Sequence, residues 1–127
     1  MPSKWIQINP NPNGKSVGDC TVRAISLATG QSWEKTYLDL CIQGYILSDM
    51  PSSNDVWMAY LADKGWTFHR LQDDCPFCYT IKDFCREYNR GVYIVGTGTH
   101  VICVKEGDWM DAWDSGDKTP LFYFSRG

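Results

Sequence analysis

Positive charge is in short supply in this chain. Twelve Lys and Arg face 15 Asp and Glu, a net charge of −3. A protein that grips phosphates presents a basic face, so no nucleic-acid partner is expected. Long apolar runs are missing too. No stretch approaches the roughly 18 apolar residues that span a bilayer, so no membrane partner is expected either. The opening "MPSKWIQINPNPNGKS" has no apolar run and does not read as a secretory signal. We therefore expect a cytoplasmic setting in which thiols stay reduced. Repeats, low-complexity tracts and linkers are absent, and residues 1–127 read as one domain. Histidine is scarce: there are 2, His69 and His100. The search for a neutral-pH base is confined to two positions.

What is present is a core. The chain is 43% hydrophobic and 14% aromatic, which fits globular packing. Its 6 cysteines, at positions 20, 41, 75, 78, 85 and 103, do not look like a disulfide scaffold without a secretory signal. We read them as free thiols.

The first 18 residues, rich in Pro and Gly, read as an extended loop. Residues 20 to 29 form a nearly all-apolar helix, interrupted by Arg23 and stopped by Gly30. Arg23 is either an interior ion-pair partner or snorkels to the surface, and a structural role is favoured. Ser32 caps a second helix with Trp33, Tyr37, Leu40 and Cys41 on one face, followed by a loop over "GYILSDMPSS". A third helix runs from about 54 to 64, and "WTFHRL" reads as a short strand. Thr80 and Asp83 resemble a capping box opening a fourth helix. From Gly91 the period changes to short β-branched and aromatic runs: "VYIV", "HVICV", "WMDAW" and "LFYF". "KEGD" is a hairpin turn signal. Helices first and an antiparallel sheet last make the fold class α+β.

The chemistry turns on Cys20. An ordinary thiol, with a pKa of about 8.5, is only a few per cent thiolate at neutral pH, and a helix N-terminus plus an imidazolium can lower that value by several units. Gly18-Asp19 places Cys20 at such an N-terminus. By itself it reads first as a small buried filler, and only a histidine and acids in the expected order reverse that. The partner must be a histidine. His69 has no acid placed to orient it. His100 opens a strand, and the acidic "DAWD" lies one hairpin later. A turn centred on Glu106-Gly107 pairs position 100 with 113 and 102 with 111, so that His100 and Asp111 share a face. A slip of one residue brings up Asp114 instead.

Nucleophile on a helix, base on a strand and acid on the next strand form the thiol version of a catalytic triad. This order, carried by "GDCTVRAIS", "THVICV" and "DAW", resembles the papain-like cysteine peptidase superfamily. The whole chain is similar to small bacterial and phage-encoded proteins of that superfamily. The resemblance implies a nucleophile helix packed on a C-terminal antiparallel sheet. It also implies thiol hydrolysis of an amide, isopeptide or related acyl bond in a protein or peptide substrate, with no metal or other cofactor. Papain-like enzymes often place Asn before Ser-Trp as third member, the Trp shielding the histidine. Asp111-Ala112-Trp113 looks like that tripeptide, which ranks Asp111 above Asp114. Those enzymes also carry an oxyanion Gln some six residues before the cysteine, where this chain has Gly14. Asn11 or Asn13 would have to join the Cys20 N–H in that role. Other readings stand beside this one: a non-catalytic protein-binding module on the same fold, aimed at a host protein, or a redox or zinc site built on Cys75 and Cys78.

Overall fold

In the computed structural model, which describes residues 2–71 and 79–126, four helices pack on one mixed six-stranded sheet. In chain order the elements are β1 (Trp5–Gln7), α1 (Cys20–Thr29), α2 (Trp33–Leu47), α3 (Asn54–Asp63) and β2 (Trp66–Arg70). They continue with α4 (Ile81–Glu87), β3 (Val92–Gly96), β4 (Val101–Lys105), β5 (Asp108–Asp111) and β6 (Phe122–Arg126). The sheet order is β1-β5-β4-β3-β6-β2. Among the described residues no helix is long and apolar enough to cross a membrane.

The α+β class holds, but the sheet draws on both halves of the chain. The first 18 residues are not all loop: Trp5–Gln7 adds a parallel edge strand to β5, pairing Gln7 with Asp111. At the other edge β2 pairs antiparallel with β6. That edge is the short strand expected at "WTFHRL"; β1, three residues long, carries too little periodicity to be read from sequence and is stabilised by its partner rather than its own composition.

Strand alternation splits the core into two layers. One face carries Ile94, Cys103 and Phe124 against Val22, Ile25, Leu40, Trp57 and Leu61 of the first three helices. The other carries Val95, Ile102, Val104 and Trp109 against Ile81, Phe84 and Cys85 of α4. Helices therefore cover both faces, with α1 lying across β4.

Local signals set most boundaries. Gly30 ends α1 in the left-handed conformation, Ser32 accepts the Lys35 N–H at the start of α2, and Thr80 with Asp83 forms a full capping box. The second helix departs from expectation. It runs on through "GYIL" to Leu47, and its buried stripe is Thr36, Leu40 and Gly44 rather than the Trp33–Tyr37 face. The glycine explains the extension. The following loop folds back so tightly that a Cβ on Gly44 would lie 2.8 Å from the Asp49 carbonyl oxygen. Gly44 is thus a packing contact, not a stop.

Candidate functional site

The N-terminus of α1 meets the open end of the β4–β5 hairpin. Glu106 and Gly107 both have positive φ, as a tight hairpin turn requires. The turn fixes Cys103 opposite Met110 and Val104 opposite Trp109. This is the register that sets 102 against 111. His100 sits one residue before β4, its carbonyl accepting the Thr97 N–H at 2.8 Å across the Gly98 turn. Asp111 ends β5. Its carbonyl accepts the Ile8 N–H at 3.0 Å and the Trp5 indole N–H at 3.2 Å, so β1 pins the backbone that carries this acid.

His100 Nε2 lies 2.6 Å from Asp111 Oδ2. That leaves Nδ1 as the ring nitrogen not engaged by Asp111, and the Cys20 thiol is close enough to His100 and the Val101 N–H for both to act on its ionisation. Trp113 lies over the imidazole with ring centroids 4.6 Å apart. Asp111 is 3% exposed. Its Oδ2 also accepts from the Ser115 hydroxyl at 2.9 Å, and its Oδ1 from the Ala112 N–H at 2.8 Å. Contacts on both oxygens restrict the carboxylate and, through it, the ring it holds.

The electrostatics follow from these contacts. Burial pushes the Cys20 thiol up. Hydrogen bonds from His100 and the Val101 N–H, with the positive charges of His100 and Arg23, more than reverse this, and the thiol falls below its ordinary value. Burial pulls His100 down, but its bonds to Asp111 and Cys20 and their negative charges raise it to about 9. The two shifts favour one state, a thiolate beside an imidazolium.

Asp114, the alternative acid, points elsewhere. Its carboxylate accepts from the Trp109 indole at 2.9 Å and the Gly116 N–H at 3.0 Å. The asparagines expected near an oxyanion also divide. Asn11 is buried, its Oδ1 closing the loop by accepting the Asn13 N–H at 3.0 Å, while its amide donates to Asp19 at 3.4 Å. Asn13 is exposed in that turn. His69 is occupied at the far edge of the sheet, 2.7 Å from the Ser125 hydroxyl. Cys75 and Cys78 lie outside the described residues, among which no cluster of three or more metal-ligating side chains occurs.

Three participants were not assigned to the site from sequence. Arg23 was noticed as a lone charge on an apolar helix, and it is indeed an interior ion-pair partner. Its guanidinium is buried, bonded to Asp19 and 3.6 Å from Asp111 Oδ1. Asp19 in turn accepts from the Trp33 indole at 2.9 Å. The spacing of Asp19 and Arg23, four apart across a helix start, was a readable signal. Ser115, in a polar turn, gave none. Comparisons with protein-family models, curated proteins and solved structures return no match, so the functional reading rests on the chain's own residues and their geometry.

Proposed function

We propose that the protein is a thiol hydrolase that cleaves or transfers an amide or related acyl bond of a protein or peptide through Cys20, His100 and Asp111. The observation that carries the reading is the His100–Asp111 contact, with Nε2 and Oδ2 2.6 Å apart, beside a Cys20 thiol that His100 helps to lower despite its burial. In this mechanism the Cys20 thiolate attacks the carbonyl carbon. The developing oxyanion lies at the N-terminus of α1, where the Cys20 N–H is the assigned donor. The His100 imidazolium gives its proton to the leaving amine as the C–N bond breaks. Neutral His100 then takes a proton from water, which attacks the thioester and frees the acid. Asp111 holds the ring and balances its charge throughout. The fold and site fit the papain-like arrangement that the sequence resembles.

The test is trapping of the acyl-enzyme. Incubation with a panel of peptidyl thioesters and activated esters, followed by intact-mass measurement, should give an acyl adduct on Cys20 in the wild type. Cys20→Ala should give none. No adduct from any panel member, together with an ordinary thiol pH profile, would refute the proposal.

A second reading is favoured by one observation. Helix α2 carries an outward apolar face, with Leu38, Ile42, Ile46 and Tyr45 exposed, the last by 86%. Such a surface suits a protein-binding module. Charge substitutions at Leu38 and Ile42 that abolish biological effect while Cys20→Ala does not would favour binding over catalysis.

A further inference from the structure

Arg23 is a buried charge that the triad reading leaves without a task. It lies three residues after Cys20 on α1, so the two side chains leave the helix on neighbouring lines. One guanidinium nitrogen engages Asp19 and, at 3.4 Å, the Val17 carbonyl; the other faces Asp111 Oδ1 at 3.6 Å. The Arg23 side chain is 8% exposed, and its Nε has no hydrogen-bond partner. A buried guanidinium with an unpartnered nitrogen is costly for packing alone, since an apolar side chain of similar volume would avoid that cost. Its placement has a chemical rationale.

We propose that Arg23 is a positioning residue that locks the acid of the triad to the helix bearing the nucleophile. One helix then supplies both the attacking sulfur and the clamp on Asp111, and one hairpin supplies both the base and the acid. The four side chains close a ring, Cys20–His100–Asp111–Arg23, so α1 cannot slide along β4 without breaking the ring at two points. The clamp has a second effect. When His100 has given up its proton, Asp111 would otherwise be a buried carboxylate with no counter-charge. Arg23 stays charged at every step and keeps one beside it. Asp19, held by Trp33 and Asn11, offsets the charge of Arg23 and fixes its direction.

The proposal rests on the triad reading, and its test separates the two. Cys20 alkylation by iodoacetamide is followed from about pH 4 to 10 in the wild type, Arg23→Lys and Arg23→Met. His100 is titrated in parallel by nitrogen-15 NMR of the imidazole. The groups facing the thiol are His100 and Arg23, with Asp111 and Asp19 behind them. In Arg23→Met the apparent thiol value should rise by about one unit or more, about a tenfold loss of rate at low pH. The His100 titration should lose its single sharp resonance as the ring gains a second orientation. Arg23→Lys keeps the charge but cannot face both carboxylates, and should fall between the two. A merely structural arginine would lower the melting temperature and leave the profile where it is. An unmoved profile in Arg23→Lys and in folded Arg23→Met overturns the inference while leaving the triad standing. If Arg23→Met does not fold, Arg23→Lys alone decides. An ordinary thiol profile in the wild type overturns the triad and this inference together.

Discussion

Cys20 and Cys103 belong to the same layer between α1 and β4, and burial pushes both thiols up, yet they end at opposite extremes. Cys103 is fully buried among apolar side chains on β4, and its thiol is pushed up to about 12. Cys20, half-buried at the end of the same layer, falls below its ordinary value. Cys85, on α4 against the other face of the sheet, follows Cys103 at about 12. Desolvation is common to all three. What separates Cys20 is a set of fixed donors, His100 and the Val101 N–H, and two nearby positive charges. The surroundings thus separate a packing atom from a lowered thiol, and the thiol itself is the least informative part of either environment.

The largest way to break the contrast is to remove the imidazole. In His100→Ala, Cys20 loses its main donor and the nearest positive charge. Its alkylation rate near pH 6 should drop by about two orders of magnitude, given about tenfold per unit of thiol shift. Iodoacetamide labelling read by mass spectrometry reports this directly, and Cys103 should stay unlabelled throughout. Asp111→Asn keeps the shape but not the charge. It should lower the same rate by about tenfold and leave His100 titrating well below about 9. Asp114→Ala should leave the labelling profile unchanged, because that carboxylate serves Trp109 and the Gly116 N–H.

Stability should show the reverse pattern. Cys103→Ala opens a gap in a closed core and should cost about 1–2 kcal/mol in denaturant unfolding. Cys20→Ala should cost less while abolishing the reactive thiol. The smallest effect is on the pH dependence of stability. The folded value of His100, about 9, lies above its ordinary 6.5. Its contribution is therefore complete below the ordinary value and is lost as pH rises through about 9. The melting temperature of the wild type should exceed that of His100→Asn by several degrees near pH 6, and the gap should narrow by about pH 10. A gap that widens with pH would contradict the assignment.

The hairpin and its consequences were legible because a two-residue turn fixes a register, and a register fixes which residues share an end. A turn at Glu106-Gly107 brings positions 100 and 111 together, but a slip of one residue brings up Asp114, and only the resemblance of "DAW" ranks the two acids. The apolar helix opening at Cys20 was readable for the same kind of local reason. What escaped was held by distant partners. The β1 strand exists through β5, and the C-terminal turn of α2 through a loop folded over Gly44. Ser115 joined the site through the path of the chain after β5. Arg23 was visible as a charge on an apolar helix, but only the folded chain reveals that it spans two carboxylates. Local sequence encodes caps and turns; it does not encode which buried charges meet.

The parallel pairing of β1 with β5 bears on how the protein is made. The Trp5 indole that grips the Asp111 carbonyl is separated from it by 106 residues. Helix α1, with Cys20, leaves the ribosome well before β5, with Asp111, by several seconds at about 5–20 residues per second. Through that interval the thiol of a nascent chain has neither base nor acid and behaves like any exposed cysteine. Closing the β1–β5 edge joins the bonded strands that lie furthest apart in sequence, the kind of contact that loop-closure entropy makes slow to form. On the proposed reading, reactivity is thereby tied to completion: a stalled or truncated chain lacking β5 has no Asp111 to place beside its His100 and Cys20.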